Sequence, residues 1–145
     1  FFIGLFIIIG GLEASGGISL IAIWILNVTQ VSQEATAMII LWASGFISGI
    51  IDNIPYTATM TPMLLAIQKT MGADYTYPLW WCLSLGACLG GNMTIIGAAA
   101  NVIVSETSAH NGYPIPFMKF LKYGVITMII SLVISSVYIY LRFLH

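Results

Sequence analysis

The sequence predicts an all-α transmembrane protein, and three observations carry that reading. Apolar residues make up 59% of the 145-residue chain and charged residues 6%, with a mean hydropathy of +1.00, well outside the range of soluble domains. The few charges divide the chain into uncharged stretches that match or exceed the roughly 20 residues a helix needs to cross about 30 Å of hydrocarbon. Prolines and glycines fall inside the stretches that are too long for one crossing.

The first segment, about residues 1–28, is a full span by length, with one acid, Glu13, near its middle. It has neither a basic leader nor an initiating methionine, so it reads as the interior of a longer chain and not as a signal peptide. The second segment is uncharged from Ala35 to Ile51 and from Asn53 to Gln68. As one helix it would reach about 50 Å, too long for one crossing, while each arm alone is too short. Pro55 lacks an amide hydrogen and disfavours a helical Ile54, so the break is expected at Asp52 to Pro55. The segment then forms a re-entrant helical hairpin over about 35–69 with "DNIP" at its tip; a bent span followed by a surface helix is the alternative.

The third segment runs uncharged from Tyr75 to Ser105, about 46 Å as a helix, and carries Gly86, Gly90, Gly91 and Gly97. An interrupted transmembrane helix over about 77–106 is expected, entered through a belt of Tyr75, Tyr77, Trp80 and Trp81 with Pro78 near its first turn. Next, "FMKFLKYG" with Lys119 and Lys122 reads as an interfacial helix over about 115–122. A last ordinary span follows over about 123–142 and ends at Arg142. The clustered lysines beside that span place Lys119 and Lys122 on the cytoplasmic side.

Backbone groups freed in hydrocarbon must be satisfied by protein or face a polar cavity, so two breaks imply one cavity. "SGIIDNIPYTA" and "GGNMTIIGAAAN" each bring an asparagine and a threonine to a disrupted backbone. Side-chain oxygens and freed carbonyls suit a small cation, and half-helix N-termini suit an anion. A carboxylate at membrane depth is a functional-site hypothesis, so Asp52 is read as an ion- or proton-coupling group, with a helix N-cap as the compatible structural role. Asn53, Thr57, Asn92, Thr94 and Asn101 are read as ligands, against the alternative that they only satisfy broken backbone. Glu13 is read either as a proton carrier or as a helix–helix hydrogen-bond donor.

"DNIPYTATMTPML", then "GACLGGNMTIIGAAANVIVSE" and "HNGYPIPFMKFLKYG", together closely resemble the arsenite permease, NhaD-type sodium/proton antiporter and melanocyte P protein clade of the ion transporter superfamily. The resemblance covers essentially the whole chain. It implies the C-terminal half of an inverted-repeat ion transporter fold, with an N-terminal half needed to complete it and a homodimer of completed transporters. The substrate and ion site it implies comprises Asp52, Asn53, Pro55, Thr57, Thr59, Gly91, Asn92, Thr94, Gly97 and Asn101. A candidate sodium site falls at Asn53, Thr57, Asn92 and Thr94. Relatives that carry dicarboxylates have Ser-Asn-Thr at the hairpin tip; Asp52-Asn53-Ile54-Pro55 departs from that triplet.

The expected function is secondary active transport of a small inorganic or organic anion, arsenite-like or other, coupled to Na+ or H+, by alternating access in a multi-pass plasma (inner) membrane protein. Sodium/proton antiport is the alternative, and a non-transporting scaffold or assembly subunit is the alternative from another class. Lipid is the expected surroundings. Four basic and five acidic residues form no patch for nucleic acid. No nucleophile with a base, metal cluster or phosphate loop is present in the sequence, so no enzyme and no cofactor are expected. Cys82 and Cys88 match neither a redox nor a zinc spacing and read as packing residues. Glu106 is expected to pair with His110 at the surface, with His110 in a solvated loop.

Overall fold

The structure, a computed structural model, describes residues 7, 10, 11, 14–28 and 32–145. Among these residues the chain is helical without strands. Helix α1 is Gly17–Val28, α2 Gln33–Ser48, α3 Asn53–Met71, α4 Ala73–Gly90, α5 Ala99–His110 and α6 Phe117–Ile139. A 3-10 turn, Ile95–Gly97, lies between α4 and α5, and a π-helical turn, Tyr140–Leu144, closes α6. Glu13 lies outside the described residues.

Helix α4 is the centre of the bundle, with α2, α3 and α6 packed on it and α1 on α3. Its contact with α2 is backbone to backbone. A Cβ built on Gly86 would lie 2.5 Å from the Leu41 carbonyl oxygen, and one on Gly90 would overlap the Gly45 carbonyl. These two glycines, four apart, form the small-xxx-small stripe that lets membrane helices approach closely. The buried face of α2 repeats at helical spacing through Thr36, Ile40, Leu41, Ser44 and Ser48.

Local chemistry accounts for the helix ends. Ser32 caps α2, accepting from the Ala35 amide, and Glu34 in the first turn complements the helix dipole. Gly72, with φ of +90°, links α3 to α4 through a single residue. Pro78 lies inside α4 and cannot bond back to the Asp74 carbonyl. Gln33 of α2 supplies the missing donor: its Nε2 donates to Asp74 O at 3.3 Å and Tyr75 O at 2.9 Å.

Several boundaries differ from those expected. The break in the second segment falls at residues 49–52, and Asn53 to Pro55 are already helical. Proline is tolerated there because first-turn amides have no acceptor within the helix. The interrupted helix starts at Ala73 and continues to His110, so His110 ends a helix and does not lie in a loop. The interfacial helix over 115–122 and the span over 123–142 are one continuous helix, because nothing from Phe117 onward breaks the amide ladder. The first segment turns at Ser15–Gly16, where Gly16 has φ of +75°.

Among the described residues one helix, Phe117–Leu144, is long and apolar enough to cross a membrane by itself. Gly124, Met128, Leu132, Ser135 and Ile139 form its buried stripe, while Ile126, Ile130, Val133, Ile134 and Val137 are exposed. Trp42 of α2 donates its indole N–H to Ser136 Oγ at 3.0 Å.

Candidate functional site at two helix breaks

The turn after α2 and the break after α4 meet. Ser48, at the last position of α2, donates its hydroxyl to the Ala87 carbonyl at 2.6 Å in the buried interface. One residue later the Gly49 carbonyl accepts the Thr94 hydroxyl, also at 2.6 Å, and Thr94 is only 4% exposed. Asn101, in the first turn of α5, reaches back with Nδ2 to Gly91 O at 2.9 Å and Thr94 O at 3.0 Å. Carbonyls freed by the two breaks are therefore satisfied by side chains from the breaks themselves.

Glycines make this approach possible. A Cβ on Gly97 would lie 2.8 Å from Gly91 O and 3.0 Å from Gly49 O, and one on Gly91 would lie 2.9 Å from Gly97 O. Gly49 is equally confined, with Met93 and the Gly90 carbonyl against it. From the other side, Gly124 of α6 packs on the carbonyls of Asn92 and Met93, fixing the turn between them.

The start of α3 is organised differently. Asp52 is the N-cap of α3, its carboxylate accepting the Ile54 amide at 3.0 Å. Thr57 and Thr59 donate back within the helix to the carbonyls of Asn53 and Pro55, at 2.7 and 2.9 Å. Pro55 is buried, and neighbouring Tyr56 donates its hydroxyl to Ser44 Oγ at 3.0 Å, drawing the start of α3 onto α2.

The structure thus brings together Gly91, Thr94, Gly97 and Asn101 with the turn at Gly49. The bonds that join the two breaks come from Ser48 and Thr94, not from Asp52, Asn53, Thr57 or Thr59. Asn53 is half-buried, Asn92 is exposed, and neither carboxamide bonds to another described residue. Four residues that matter here were missed in the sequence: Ser44, Ser48, Gly49 and Gly124. A usable signal existed for the middle pair, because "SGIID" places a serine and a glycine directly before the polar tip.

Among the described residues no three His, Cys, Asp or Glu side chains gather as a metal cluster. Glu106 and His110 are exposed on α5 and line a small cavity of about 420 Å³. Cys82 is buried and Cys88 exposed, both as free thiols.

The family model described as "Citrate transporter" matches residues 1–144. An uncharacterized transporter of Mycobacterium tuberculosis is 42% identical over 144 residues, covering 99% of the chain and 34% of that relative. The 46 kDa membrane protein of Mycobacterium leprae is 39% identical over 145 residues, 34% of its length. The P protein of Homo sapiens is 40% identical over 106 residues, 72% of the chain and 13% of the relative. The chain therefore spans about a third of the length of the first two relatives. No solved structure matches it.

Proposed function

The chain belongs to the citrate transporter family, within the ion transporter superfamily, and we propose that it forms the C-terminal half of the mid-membrane site of a secondary active anion transporter. Membership makes it an integral membrane protein of a transport family and not an enzyme. The observation that carries the site is the buried Thr94–Gly49 hydrogen bond, which ties the hairpin turn to the interrupted helix. Two broken helices meeting in this way are the usual setting of substrate and coupling-ion sites in secondary transporters.

In this reading α2 and α3 are the arms of a re-entrant hairpin, and an N-terminal half of inverted topology completes the site. Asn53 and Asn92 offer carboxamides to the anion or its coupling cation. The hydroxyl oxygens of Thr57 and Thr94 and the Asp52 carboxylate complete a candidate sodium or proton site, while Thr59, Pro55, Gly91, Gly97 and Asn101 shape the backbone around it. The anion is small, inorganic and arsenite-like or organic, and it moves with Na+ or H+ by alternating access across the plasma membrane. A homodimer of completed transporters, with Lys119 and Lys122 cytoplasmic, follows the same resemblance to arsenite permeases and sodium/proton antiporters.

The test is flux into proteoliposomes of the full-length protein, with citrate, arsenite and sodium each varied against pH. Asn53→Ala and Asn92→Ala should abolish anion flux while leaving the protein folded and membrane-inserted. Sodium-driven proton release without anion flux would replace the anion reading with antiport. Unchanged flux in both variants, or altered assembly with no flux in any condition, would favour the scaffold reading.

A further inference from the structure

We infer that the cavity between α5, α6 and the interrupted helix is a second binding site, an antechamber for a small organic anion whose charge partner is Lys119. The inference deepens the transport reading only in assigning the site to the route toward Asn92. Its volume is about 840 Å³, inside the roughly 300–1,000 Å³ typical of small-molecule sites. Asn92 contributes from the break, Ser108 from α5, Tyr113 from the loop, and Lys119, Tyr123 and Thr127 from α6.

Two features favour an anion. Among the described residues lining the cavity Lys119 is the only charged one, and the acid on α5, Glu106, lines a different cavity. A concave wall with one sign of charge concentrates the opposite sign. Amide and hydroxyl groups at Asn92, Tyr113 and Tyr123 can donate hydrogen bonds to carboxylate oxygens, and the proline, isoleucine and phenylalanine walls suit a carbon skeleton.

The cavity is also built in advance of any ligand. Gly112, with φ of +85°, turns the chain after α5, and the loop is closed by Tyr113 N–H on Ser108 O at 2.9 Å and by the Ser108 hydroxyl on Tyr113 O. Gly124 pins the Asn92–Met93 turn against α6, so Asn92 belongs at once to this cavity and to the helix break. A lysine in the first turn of a membrane helix also suits a lipid phosphate, and that source of negative charge is separated by experiment.

Binding of radiolabelled citrate, succinate and acetate to the purified full-length protein tests the site, in nanodiscs of phosphatidylcholine alone and with phosphatidylglycerol added. At least one anion should bind in phosphatidylcholine, with Lys119→Ala weakening it about tenfold or more, Lys119→Arg within a few fold of wild type and Tyr123→Phe intermediate. Equal affinity in wild type and Lys119→Ala overturns the proposal, as does absence of binding by all three anions. It is also overturned if phosphatidylglycerol alone responds to Lys119, or if Lys119→Ala lowers thermal stability without changing affinity, since the cavity is then filled by lipid or by protein. Lys119-dependent binding without flux would keep this site and remove the transport reading; flux present while binding is indifferent to Lys119 would do the reverse.

Discussion

Replacing Gly90 by alanine tests the contact on which the rest of the bundle depends. The new methyl group would overlap the Gly45 carbonyl oxygen and lie 2.7 Å from Gly45 Cα, where ordinary contact needs about 3.5–4.0 Å. Both obstacles are backbone, so no side chain can rotate away, and α2 must move off α4 by about 1 Å. Overpacking of this kind costs about 1–3 kcal/mol. The same movement stretches the 2.6 Å bond from Ser48 Oγ to Ala87 O, one turn away, which adds about 0.5–1.5 kcal/mol. The expected loss is about 2–4 kcal/mol, read as a clear fall in thermal or denaturant stability of the purified protein. Ile134→Ala, on the exposed face of α6, is the control and should stay within about 0.5 kcal/mol of wild type. Wild-type stability for Gly90→Ala would mean that α2 and α4 do not touch through their backbones, and the account of the junction would fall with it.

Thr94→Val keeps the shape but leaves the buried Gly49 carbonyl without its donor, so a loss of about 1–3 kcal/mol is expected; Thr94→Ser should recover most of it, measured by the same unfolding assay. Asn101→Leu removes the donor to Gly91 O and Thr94 O together, and hydrogen exchange of residues 91–98 should accelerate while that of α6 stays as it was. Asp52→Asn keeps an N-cap acceptor and should fold with stability within about 0.5 kcal/mol of wild type, whereas Asp52→Ala should lose about 1 kcal/mol. If Asp52 also couples an ion, Asp52→Asn loses sodium- or pH-dependent flux at unchanged stability. Gln33→Ala leaves the Asp74 carbonyl, already deprived of an amide by Pro78, without its side-chain donor and should lower stability by about 1 kcal/mol.

The two helix breaks were legible in the sequence because they are written in local chemistry: uncharged runs too long for one helix, interrupted by glycine and proline. Their positions were less legible. Pro55 drew the expected break onto itself, but a proline in a first turn breaks nothing, and Gly49 with Asp52 as the cap sets the true boundary. Lys119 and Lys122 suggested a separate interfacial helix, yet charge does not interrupt an amide ladder, and α6 runs through them. The partners of Thr94 and Asn101 were beyond the sequence altogether. The Thr94–Gly49 bond spans 45 residues and depends on how closely α2 and α4 approach, a tertiary quantity set by Gly86 and Gly90.

The polar residues of the two breaks divide by what their side chains already hold. Thr94 and Asn101 are committed to carbonyls of the broken backbone, Asp52 to the first turn of α3, and Thr57 and Thr59 to their own helix. Substitutions that remove these bonds change folding, and any loss of flux that follows carries both effects at once; Asp52→Asn escapes this only because it keeps the cap acceptor. Asn53 and Asn92 hold no described partner, so their removal leaves no carbonyl unsatisfied. A ligand role and a structural role therefore make opposite demands on these two groups. If both breaks serve only to pack the bundle, Thr94→Val is the harmful change and Asn53→Ala is silent. If the breaks hold a transported ion or anion, Asn53→Ala and Asn92→Ala abolish flux at wild-type stability, a pattern that packing alone cannot produce.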